Sequence, residues 1–328
     1  MAVYAGFDLG GTQLKYGLID AEGRILFKDK APTPATIEGL LDLIGMLWTG
    51  LKKKSPSKIE AAGFGIPGIY DLKTNRVLQS PNYGGLDNFE LIPAVARRLD
   101  VPFWVDNDAN MAAYGEWAHG AGRGVSSMVL LTVGTGIGGG LILGGNLWRG
   151  GRGYAGEVGH IIVNPDGARC TCGLQGCLEA ESSAGAIVRK YAALTRTADV
   201  VTSSAITSSA ITAEDVTAED IYNRAKGGEK AAREAFARAG YYLGIGLGIL
   251  INLLNPEKIL LGGGVMTTGE YLLAPAVEEA ARRSYRASFA ACSIERAGLG
   301  NDAGIIGAAS WARENLPRSE SFDCGPKF

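Results

Sequence analysis

The chain carries little charge and no excess of either sign. Only 20% of its 328 residues are Asp, Glu, Lys or Arg, and 32 basic residues against 34 acidic ones give a net charge of −2. A broad surface for nucleic acid or for an anionic membrane needs clustered positive charge, so this composition excludes a protein of that kind. We therefore expect neither nucleic acid nor a membrane among its partners.

Long apolar runs are also absent. The longest, Tyr241–Leu254, is shorter than the roughly 20 residues that cross a bilayer, and it contains three glycines. The chain does not open with a basic segment, an apolar stretch and a small-residue cleavage site, so no signal peptide is expected. Together these features predict a cytoplasmic protein.

Histidine is scarce, and the cysteines lack the spacing of a disulfide scaffold. The chain has two His and five Cys. Cys170, Cys172 and Cys177 fall within eight residues, whereas Cys292 and Cys324 are isolated. An odd number of cysteines without a regular framework argues against a secreted, disulfide-bonded domain.

Apolar residues and glycine are abundant. Hydrophobic residues make up 46% of the chain, which is enough for a large core. A length of 328 residues favours two domains. Glycine occurs 48 times, about twice the usual frequency. The glycines cluster between apolar runs, so they predict tight turns rather than a low-complexity chain.

Hydrophobic periodicity predicts strands and helices along most of the chain. Strands are expected at 3–8, 14–20, 25–30, 59–66, 103–105, 127–133, 141–143 and 258–261, and helices at 34–54, 107–117, 218–226, 229–254, 271–285 and 301–311. Short glycine-bearing connections predict an antiparallel meander for the first three strands. Residues 197–218 are rich in Ser, Thr and Ala and are expected to form an exposed loop.

Two segments share the pattern strand, glycine–threonine turn, strand: DLGGT at 8–12 and VGTGIGG at 133–139. The second contains G-x-G-x-x-G, but a strand rather than a helix follows it, so a dinucleotide-binding fingerprint is excluded. Glycine lets backbone N–H groups approach an anion closely, and two such turns from two domains could clamp a polyphosphate. Each turn alone is equally compatible with an ordinary hairpin.

Two further features near these turns suit a nucleotide. A third glycine turn, at 262–264, follows a strand and precedes a helix, which suits packing against a flat ring such as adenine. Asp8 ends the first strand, where its carboxylate could hold Mg²⁺ on the phosphates through water. The alternative for Asp8 is a carboxylate that caps the turn.

One histidine lies beside three of the five cysteines. His160, Cys170, Cys172 and Cys177 form the pattern H-x9-C-x-C-x4-C. Three thiolates and one imidazole complete the tetrahedral ligand set of structural zinc. A catalytic zinc is disfavoured because the protein fills all four positions. The alternative is a group of unrelated buried thiols.

Three carboxylates suggest a polar pocket. Asp108 lies at a predicted strand–helix junction, where it could accept a proton from a hydroxyl group or simply cap the helix. Glu157 and Glu179 flank the metal-binding pattern, where they could bind vicinal hydroxyls or remain solvated on the surface. Taken together, the three residues favour a ligand with several hydroxyl groups.

These motifs resemble the ROK sugar kinases of the actin/hexokinase/Hsp70 ATPase superfamily, and within that family they look most similar to bacterial glucokinases. The matching segments run in the family's order from residue 3 to about 312: DLGGT (8–12), GIPG (65–68), Asn82, VDNDAN (105–110), LTVGTGIGGG (131–140), GEVGH (156–160), CTCGLQGCLE (170–179) and the glycines at 262–264.

The resemblance implies an α/β, two-domain, actin-like ATPase fold (ribonuclease H-like) with the active-site cleft between the domains. The expected small N-terminal domain contains residues 1–118 and 302–317, so that the last helix returns to it. The large domain, residues 119–301, would carry the zinc loop and the nucleotide site, and residues 318–328 would form a flexible tail. The family also implies a homodimer.

The resemblance further implies ATP-dependent phosphorylation of a hexose, glucose above all, at the 6-hydroxyl, with Asp108 as general base. Asp8 would organise Mg²⁺, and zinc would brace the sugar loop, with His160 contacting both zinc and sugar. The sugar-binding residues would be Gly68, Asn82, Asn107, Asp108, Glu157, His160 and Glu179. The nucleotide-binding residues would be Asp8, Gly10, Gly11, Thr12, Gln13, Thr135, Gly136, Gly263 and Gly264.

One residue departs from the family pattern, and several activities stay open. Many members have Lys where this chain has Gln13, so a cationic phosphate contact is missing unless Lys15 supplies it. The acceptor could instead be N-acetylmannosamine, mannose or fructose, and the donor could be polyphosphate. Sugar-responsive repressors of the family carry a helix-turn-helix segment before the first strand, whereas the first strand here starts at Val3.

Overall fold

Two five-stranded sheets with the same strand order organise the protein. The computed structural model describes residues 1–80, 84–202 and 216–317. In chain order the strands are β1 (Val3–Leu9), β2 (Gln13–Asp20), β3 (Ile25–Pro32), β4 (Ile59–Ile66), β5 (Ile69–Asp71), β6 (Arg76–Gln79), β7 (Phe103–Asn107), β8 (Met128–Val133), β9 (Ile137–Leu143), β10 (Asn146–Trp148), β11 (Lys258–Gly262) and β12 (Ser293–Arg296).

The helices pack around these sheets. They are α1 (Ile37–Lys54), α2 (Leu91–Ala96), α3 (Asp108–His119), α4 (Leu178–Ser182), α5 (Ala184–Thr202), α6 (Ala218–Lys226), α7 (Lys230–Leu254), α8 (Glu270–Arg283), α9 (Arg286–Ala290) and α10 (Ala303–Asn315). Each sheet has its own large apolar core, one built mainly from α1 and the first sheet and the other from α5, α7, α8 and the second sheet.

The spatial orders of the two sheets are β3-β2-β1-β4-β7 and β10-β9-β8-β11-β12. In the first sheet β1, β2 and β3 are antiparallel, whereas β1, β4 and β7 are parallel. The second sheet repeats this arrangement. The internal duplication and the expected actin-like architecture are thereby confirmed. The β8–β9 connection is an antiparallel hairpin, so the exclusion of a dinucleotide fingerprint is also confirmed.

The final helix, α10, packs on the first sheet. The contact is so close that glycine is required on the strands: a Cβ at Gly63 of β4 would lie 1.8 Å from the backbone oxygen of Ala308, and one at Gly6 of β1 would lie 2.1 Å from that of Ile305. We therefore propose the domain division expected from the sequence, residues 1–118 with 302–317 and residues 119–301. Residues 318–328, expected to form a tail, lie outside the described residues.

Helix α7 is the core helix of the second half. Within the described residues it is the one helix long and apolar enough to cross a membrane, but half of its most apolar window is buried inside the protein. Gly240 and Gly244 let it approach α8, because a Cβ at either would lie 2.6 Å from a backbone oxygen of that helix. Its apolar character is thus explained by packing in the core.

Two sequence predictions need correction. Residues 197–202 continue α5, so the loop expected over 197–218 is wrong at its start, and residues 203–215 lie outside the described residues. Ala186, Ile187 and Tyr191 anchor this helix in the core, and once a helix is nucleated each further residue adds a backbone hydrogen bond. Strand β9 begins at Ile137 rather than at residue 141, because its glycines are strand residues.

Candidate active site

A cleft of about 650 Å³ lies between the two sheets. Its lining comes from the carboxyl ends of β1, β4 and β7 and of β8 and β11, with residues of the connections that follow them. In open α/β sheets ligands bind at such strand ends. The cleft therefore has the position of an active site.

Helix α3 places Asp108 in this cleft. Asp108 is the first residue of the helix, and α3 crosses β9 at glycines: a Cβ at Gly140 would lie 2.4 Å from that of Ala113, and one at Gly138 would lie 3.0 Å from that of Ala109. The glycine-rich run that resembled a nucleotide fingerprint thus also seats the helix that carries the carboxylate.

Asn107 fixes the start of that helix. Its Oδ1 accepts hydrogen bonds from the backbone N–H groups of Ala109 at 2.9 Å and Asn110 at 3.1 Å, which is the usual N-cap arrangement. Its Nδ2 donates to the carbonyl of Gly68 at 3.0 Å. Gly68 has φ +97° and its Cβ would lie 2.0 Å from the oxygen of Gln79, so glycine is required there. Asn107 and Gly68 both line the cleft.

The carboxyl group of Asp108 has a strongly raised pKa. Burial above all, together with the nearby negative charges of Asp8 and Glu157, raises this pKa to about 7, although a hydrogen bond from the Ala109 N–H opposes the rise. A group with a pKa near the working pH can accept a proton in one step and release it in the next. Perturbed carboxylates of this kind concentrate at functional sites.

Asp8 and Lys15 form an ion pair beside Asp108. The Nζ of Lys15 lies 3.3 Å from Oδ2 of Asp8, and both side chains line the cleft. Burial raises the pKa of Asp8, and the charge of Lys15 opposes that rise. Lys15 lies two residues after Gln13 on β2. This strand therefore supplies the cleft with a positive charge from position 15, although it has none at position 13.

A further group of cleft-lining residues, which we call the acceptor end, contains Glu157, His160 and Glu179. Oε2 of Glu179 accepts from the N–H of Ile137 at 2.9 Å, and its Oε1 accepts from the hydroxyl of Thr171 at 3.3 Å. Nε2 of His160 lies 3.9 Å from Oε2 of Glu157. Burial raises the pKa of Glu157, although His160 opposes the shift. These groups present several acceptors close together, as a polyhydroxyl ligand requires.

The predicted metal-binding residues come together behind this end of the cleft. The ligand atoms of His160, Cys170, Cys172 and Cys177 all lie within 4.8 Å of one another. Nδ1 of His160 is 3.6 Å from Sγ of Cys170, and the Sγ atoms of Cys172 and Cys177 are 3.7 Å apart. The cluster could hold one metal ion on Nδ1, which leaves Nε2 of His160 directed toward Glu157.

The expected nucleotide-binding residues separate into two groups. Asp8, Thr135, Gly136 and Gly263 line the cleft, and Gly263 has φ +90° with no room for a Cβ beside Val133. The other expected residues, Gly10, Gly11, Thr12, Gln13 and Gly264, are not among the cleft-lining residues. The N–H of Gly10 is instead engaged with the oxygen of Gln13 at 2.9 Å, which closes the turn on itself. Asn82 lies outside the described residues.

Sequence reasoning missed Glu116, a fully buried carboxylate on α3. It accepts hydrogen bonds from the N–H groups of Ala121 and Gly298, both at 3.0 Å, and of Leu299 at 2.6 Å. It thereby holds the segment that precedes α10, and it also lines the cleft. The one available signal was a glutamate within the apolar pattern of α3.

Comparisons with known proteins agree with this architecture. The model of the ROK family matches residues 4–315. A glucokinase of Halalkalibacterium halodurans is 37% identical over 311 residues, 93% of each chain. An N-acetylmannosamine kinase of Haemophilus influenzae is 30% identical over 314 residues, 94% of this chain and 95% of that one. A crystal structure of a ROK family glucokinase from Streptomyces griseus in complex with glucose and AMPPNP has a TM-score of 0.78 at 35% identity, covering 95% of this chain and 100% of that one. The chain belongs to the ROK family.

Proposed function

We infer that the protein is an ATP-dependent sugar kinase that phosphorylates the 6-hydroxyl of glucose. The observation that carries this inference is the carboxylate of Asp108, whose pKa of about 7 suits a general base, in a cleft that both the acceptor carboxylates and the glycine turns line. Similarity to glucokinases over nearly the whole chain supports the same activity.

Asp108 accepts the proton of the 6-hydroxyl as that oxygen attacks the γ-phosphorus. The new O–P bond forms while the bond to the β-phosphate oxygen breaks, and ADP leaves with that electron pair. Phosphoryl transfer asks the protein mainly for positioning and charge neutralisation. The proton leaves Asp108 for solvent when the cleft opens.

The acceptor end binds the other sugar hydroxyls. We assign this role to Gly68, Asn107, Glu157, His160 and Glu179, together with Asn82. Ionised carboxylates only accept hydrogen bonds, so Glu157 and Glu179 would each take two sugar hydroxyls as donors. Nε2 of His160 completes this end of the site.

The donor end must neutralise a triphosphate. Among the described residues that line the cleft, Lys15 is the only Lys or Arg, whereas five are acidic: Asp8, Asp108, Glu116, Glu157 and Glu179. We propose that Lys15 contacts the phosphates in place of the missing cation at position 13. Thr135, Gly136, Gly263 and the other expected nucleotide residues, Gly10, Gly11, Thr12, Gln13 and Gly264, complete the proposed donor site.

Asp8 fits the magnesium that accompanies ATP. Its ionised carboxylate offers oxygen ligands in the cleft, which a hard cation prefers, and its present partner Lys15 is exchangeable. Mg²⁺ supplies positive charge that neutralises the phosphate oxygens. Asp8 holds this charge on the side of the cleft next to Asp108.

The cysteine cluster fits a structural zinc. Bond lengths of about 2.3 Å to sulfur and about 2.0 Å to nitrogen would place tetrahedral sulfurs about 3.8 Å apart and a sulfur–nitrogen pair about 3.5 Å apart. The observed separations are 3.7 Å and 3.6 Å. Zinc would brace His160 and the loop that carries Glu179, and it would take no part in phosphoryl transfer.

We propose further that the protein acts in the cytoplasm in glycolysis, as a homodimer, without nucleic acid or membrane partners. The net charge of −2 supports the last point. Exposed apolar side chains on α7 and beside α8 support the dimer, since Leu253 and Tyr285 are both 75% exposed. A second acceptor, N-acetylmannosamine, is favoured by the relative that phosphorylates it.

A sugar and donor panel tests the proposed activity. We expect ADP release only with Mg²⁺ and a hexose, and the highest kcat/KM with glucose among glucose, mannose, fructose and N-acetylmannosamine. We expect a higher kcat/KM with ATP than with polyphosphate. The reason is that the glycine turn at Gly263 suits packing against an adenine ring, which polyphosphate lacks. A highest kcat/KM with N-acetylmannosamine would reassign the acceptor, and ADP release without sugar would contradict the kinase.

Substitution Asp108→Asn removes the base without changing its shape. We expect kcat to fall by at least about 100-fold, the usual contribution of a general base, while glucose still binds.

In the unsubstituted enzyme kcat/KM should rise with pH up to about 7 and then level, because only the ionised form of Asp108 accepts a proton. Asp100→Asn, on a carboxylate bonded to Trp48 and Lys52, is the control. Full activity of the Asp108 variant would refute the mechanism.

Lys15→Gln removes the cation from the donor end. We expect kcat to fall about 100-fold, as when one charge-stabilising donor is lost, and affinity for AMPPNP to fall more than affinity for AMP. Lys30→Gln is the matched control, because Lys30 pairs with Lys15 on the neighbouring strand but is exposed and does not line the cleft. Equal effects of the two substitutions would contradict the assignment.

Elemental analysis tests the zinc. We expect about one zinc per chain in the purified protein, its loss in Cys172→Ser, and its retention in Cys292→Ser, whose thiol lies outside the cluster. Loss of zinc should raise the KM for glucose, since the metal braces the acceptor end. A metal-free protein with an unchanged KM would show that the cluster has another role.

A further inference from the structure

A buried carboxylate links the two sides of the cleft at its acceptor end. Asp71 is the last residue of β5, which forms a hairpin with β6. In chain order this hairpin comes after β4 and before β7 of the first sheet. Residues 149–156 lead from β10 of the second sheet to Glu157. Asp71 is 1% exposed and contacts both this segment and its own turn.

Four donors satisfy the carboxylate of Asp71. Its Oδ1 accepts from the N–H groups of Lys73 at 2.8 Å and Thr74 at 3.1 Å. Its Oδ2 accepts from the guanidinium of Arg152 and from the hydroxyl of Tyr154. The Tyr154 hydroxyl, above all, holds the pKa of Asp71 well below its usual range, so the group is ionised at neutral pH. A buried carboxylate is destabilised if it loses a hydrogen-bond donor, so the four donors favour one position of the Asp71 side chain relative to both segments.

The backbones of the two segments are also in contact. The N–H of Leu72 donates to the oxygen of Arg152 at 3.0 Å. Gly153 has φ +100°, and a Cβ there would lie 2.7 Å from the oxygen of Tyr70. The two backbones therefore approach so closely that residue 153 must be glycine, and the segment can move little relative to β5.

The start of the same segment is fixed by a second carboxylate. Arg149 lies 3.3 Å from Oδ2 of Asp106, which is 3% exposed on β7, and its guanidinium stacks 4.9 Å from the ring centre of Trp311. Residues 149–154 are thus held at one end to β7 of the first sheet and at the other end to the β5–β6 hairpin. Glu157 follows three residues after Tyr154.

We propose that Asp71, Arg152 and Tyr154 form a clasp that positions Glu157 and thereby sets the affinity for the acceptor sugar. This inference rests on the proposed function and adds to it a positioning residue, Asp71, that lies outside the cleft lining. The clasp joins the β5–β6 hairpin, which follows β4 of the first sheet, to the segment after β10 that leads to Glu157.

The clasp acts on binding rather than on the chemical step. Glu157 contacts hydroxyls that do not react, so these contacts are the same in the ground state and in the transition state. Its charge also raises the pKa of Asp108, but less than burial and Asp8 do, so its main effect is on binding. Loss of such uniform binding raises KM and leaves kcat unchanged. A purely structural role of Asp71 would instead lower the fraction of active enzyme, and with it kcat at an unchanged KM.

The experiment compares Asp71→Asn and Tyr154→Phe with Asp20→Asn. Asp20 is also 1% exposed and accepts from two turn N–H groups, of Glu22 and Arg24, and from an arginine side chain, but it ends β2 away from the cleft. The same change there removes the same kind of buried charge. Tyr154→Phe removes only a hydroxyl, so it carries the test if Asp71→Asn fails to fold.

For both clasp variants we expect the KM for glucose to rise about tenfold, the equivalent of one lost charge-assisted hydrogen bond. Their kcat and KM for ATP should stay within about threefold. Amide hydrogen exchange of residues 149–157 should be faster in the clasp variants and unchanged in Asp20→Asn.

An unchanged KM for glucose in active clasp variants, or a rise equal to that of Asp20→Asn, overturns the clasp and leaves the proposed function standing. An unsubstituted protein that neither binds nor phosphorylates hexoses overturns the proposed function, and the clasp with it.

Discussion

The burial of the Asp108 carboxylate between two other negative charges is the constraint on which the site depends. Burial and the charges of Asp8 and Glu157 all favour the protonated form, and they raise the pKa of Asp108 to about 7. An isolated surface aspartate stays ionised far below neutral pH and is a poor base. The two sheets must therefore meet so that three carboxylates share one cleft.

Close backbone approach makes that meeting possible. Glycines on β9 let α3 cross the second sheet, while Gly6 and Gly63 let α10 lie on the first. Helix α3 also carries Glu116, which ties the segment before α10 to the same helix. One helix thus presents Asp108 at its start and braces another part of the cleft lining, through Glu116, two turns later. The abundance of glycine reflects this packing as much as it reflects turns.

Local patterns in the sequence predicted the parts of this arrangement that are local. The glycine–threonine hairpins, the strand–helix junction at Asp108 and the spacing of His160 with its three cysteines are each set within fewer than twenty residues, and the structure contains them all. The fold followed from the order of motifs, which the sequence resemblance supplied.

Features made by distant segments were not predictable in this way. Asp71 meets Arg152 and Tyr154 across about 80 residues, and Glu116 meets Leu299 across 183. Hydrophobic periodicity also does not show which side chains of β2 enter the cleft. The sequence therefore named Lys15 only as one alternative for the missing cation, and the structure shows that Lys15 lines the cleft. Composition misjudged α5, because Ser, Thr and Ala are shared by loops and by helix ends.

A crystal structure with glucose and AMPPNP measures the central distance directly, from the Asp108 carboxylate to the 6-hydroxyl oxygen of the sugar. The account predicts a hydrogen bond of about 2.6–3.2 Å, as a general base requires, with the hydroxyl directed toward the γ-phosphate. A 6-hydroxyl bonded to another carboxylate, with Asp108 out of contact with the sugar, would contradict it.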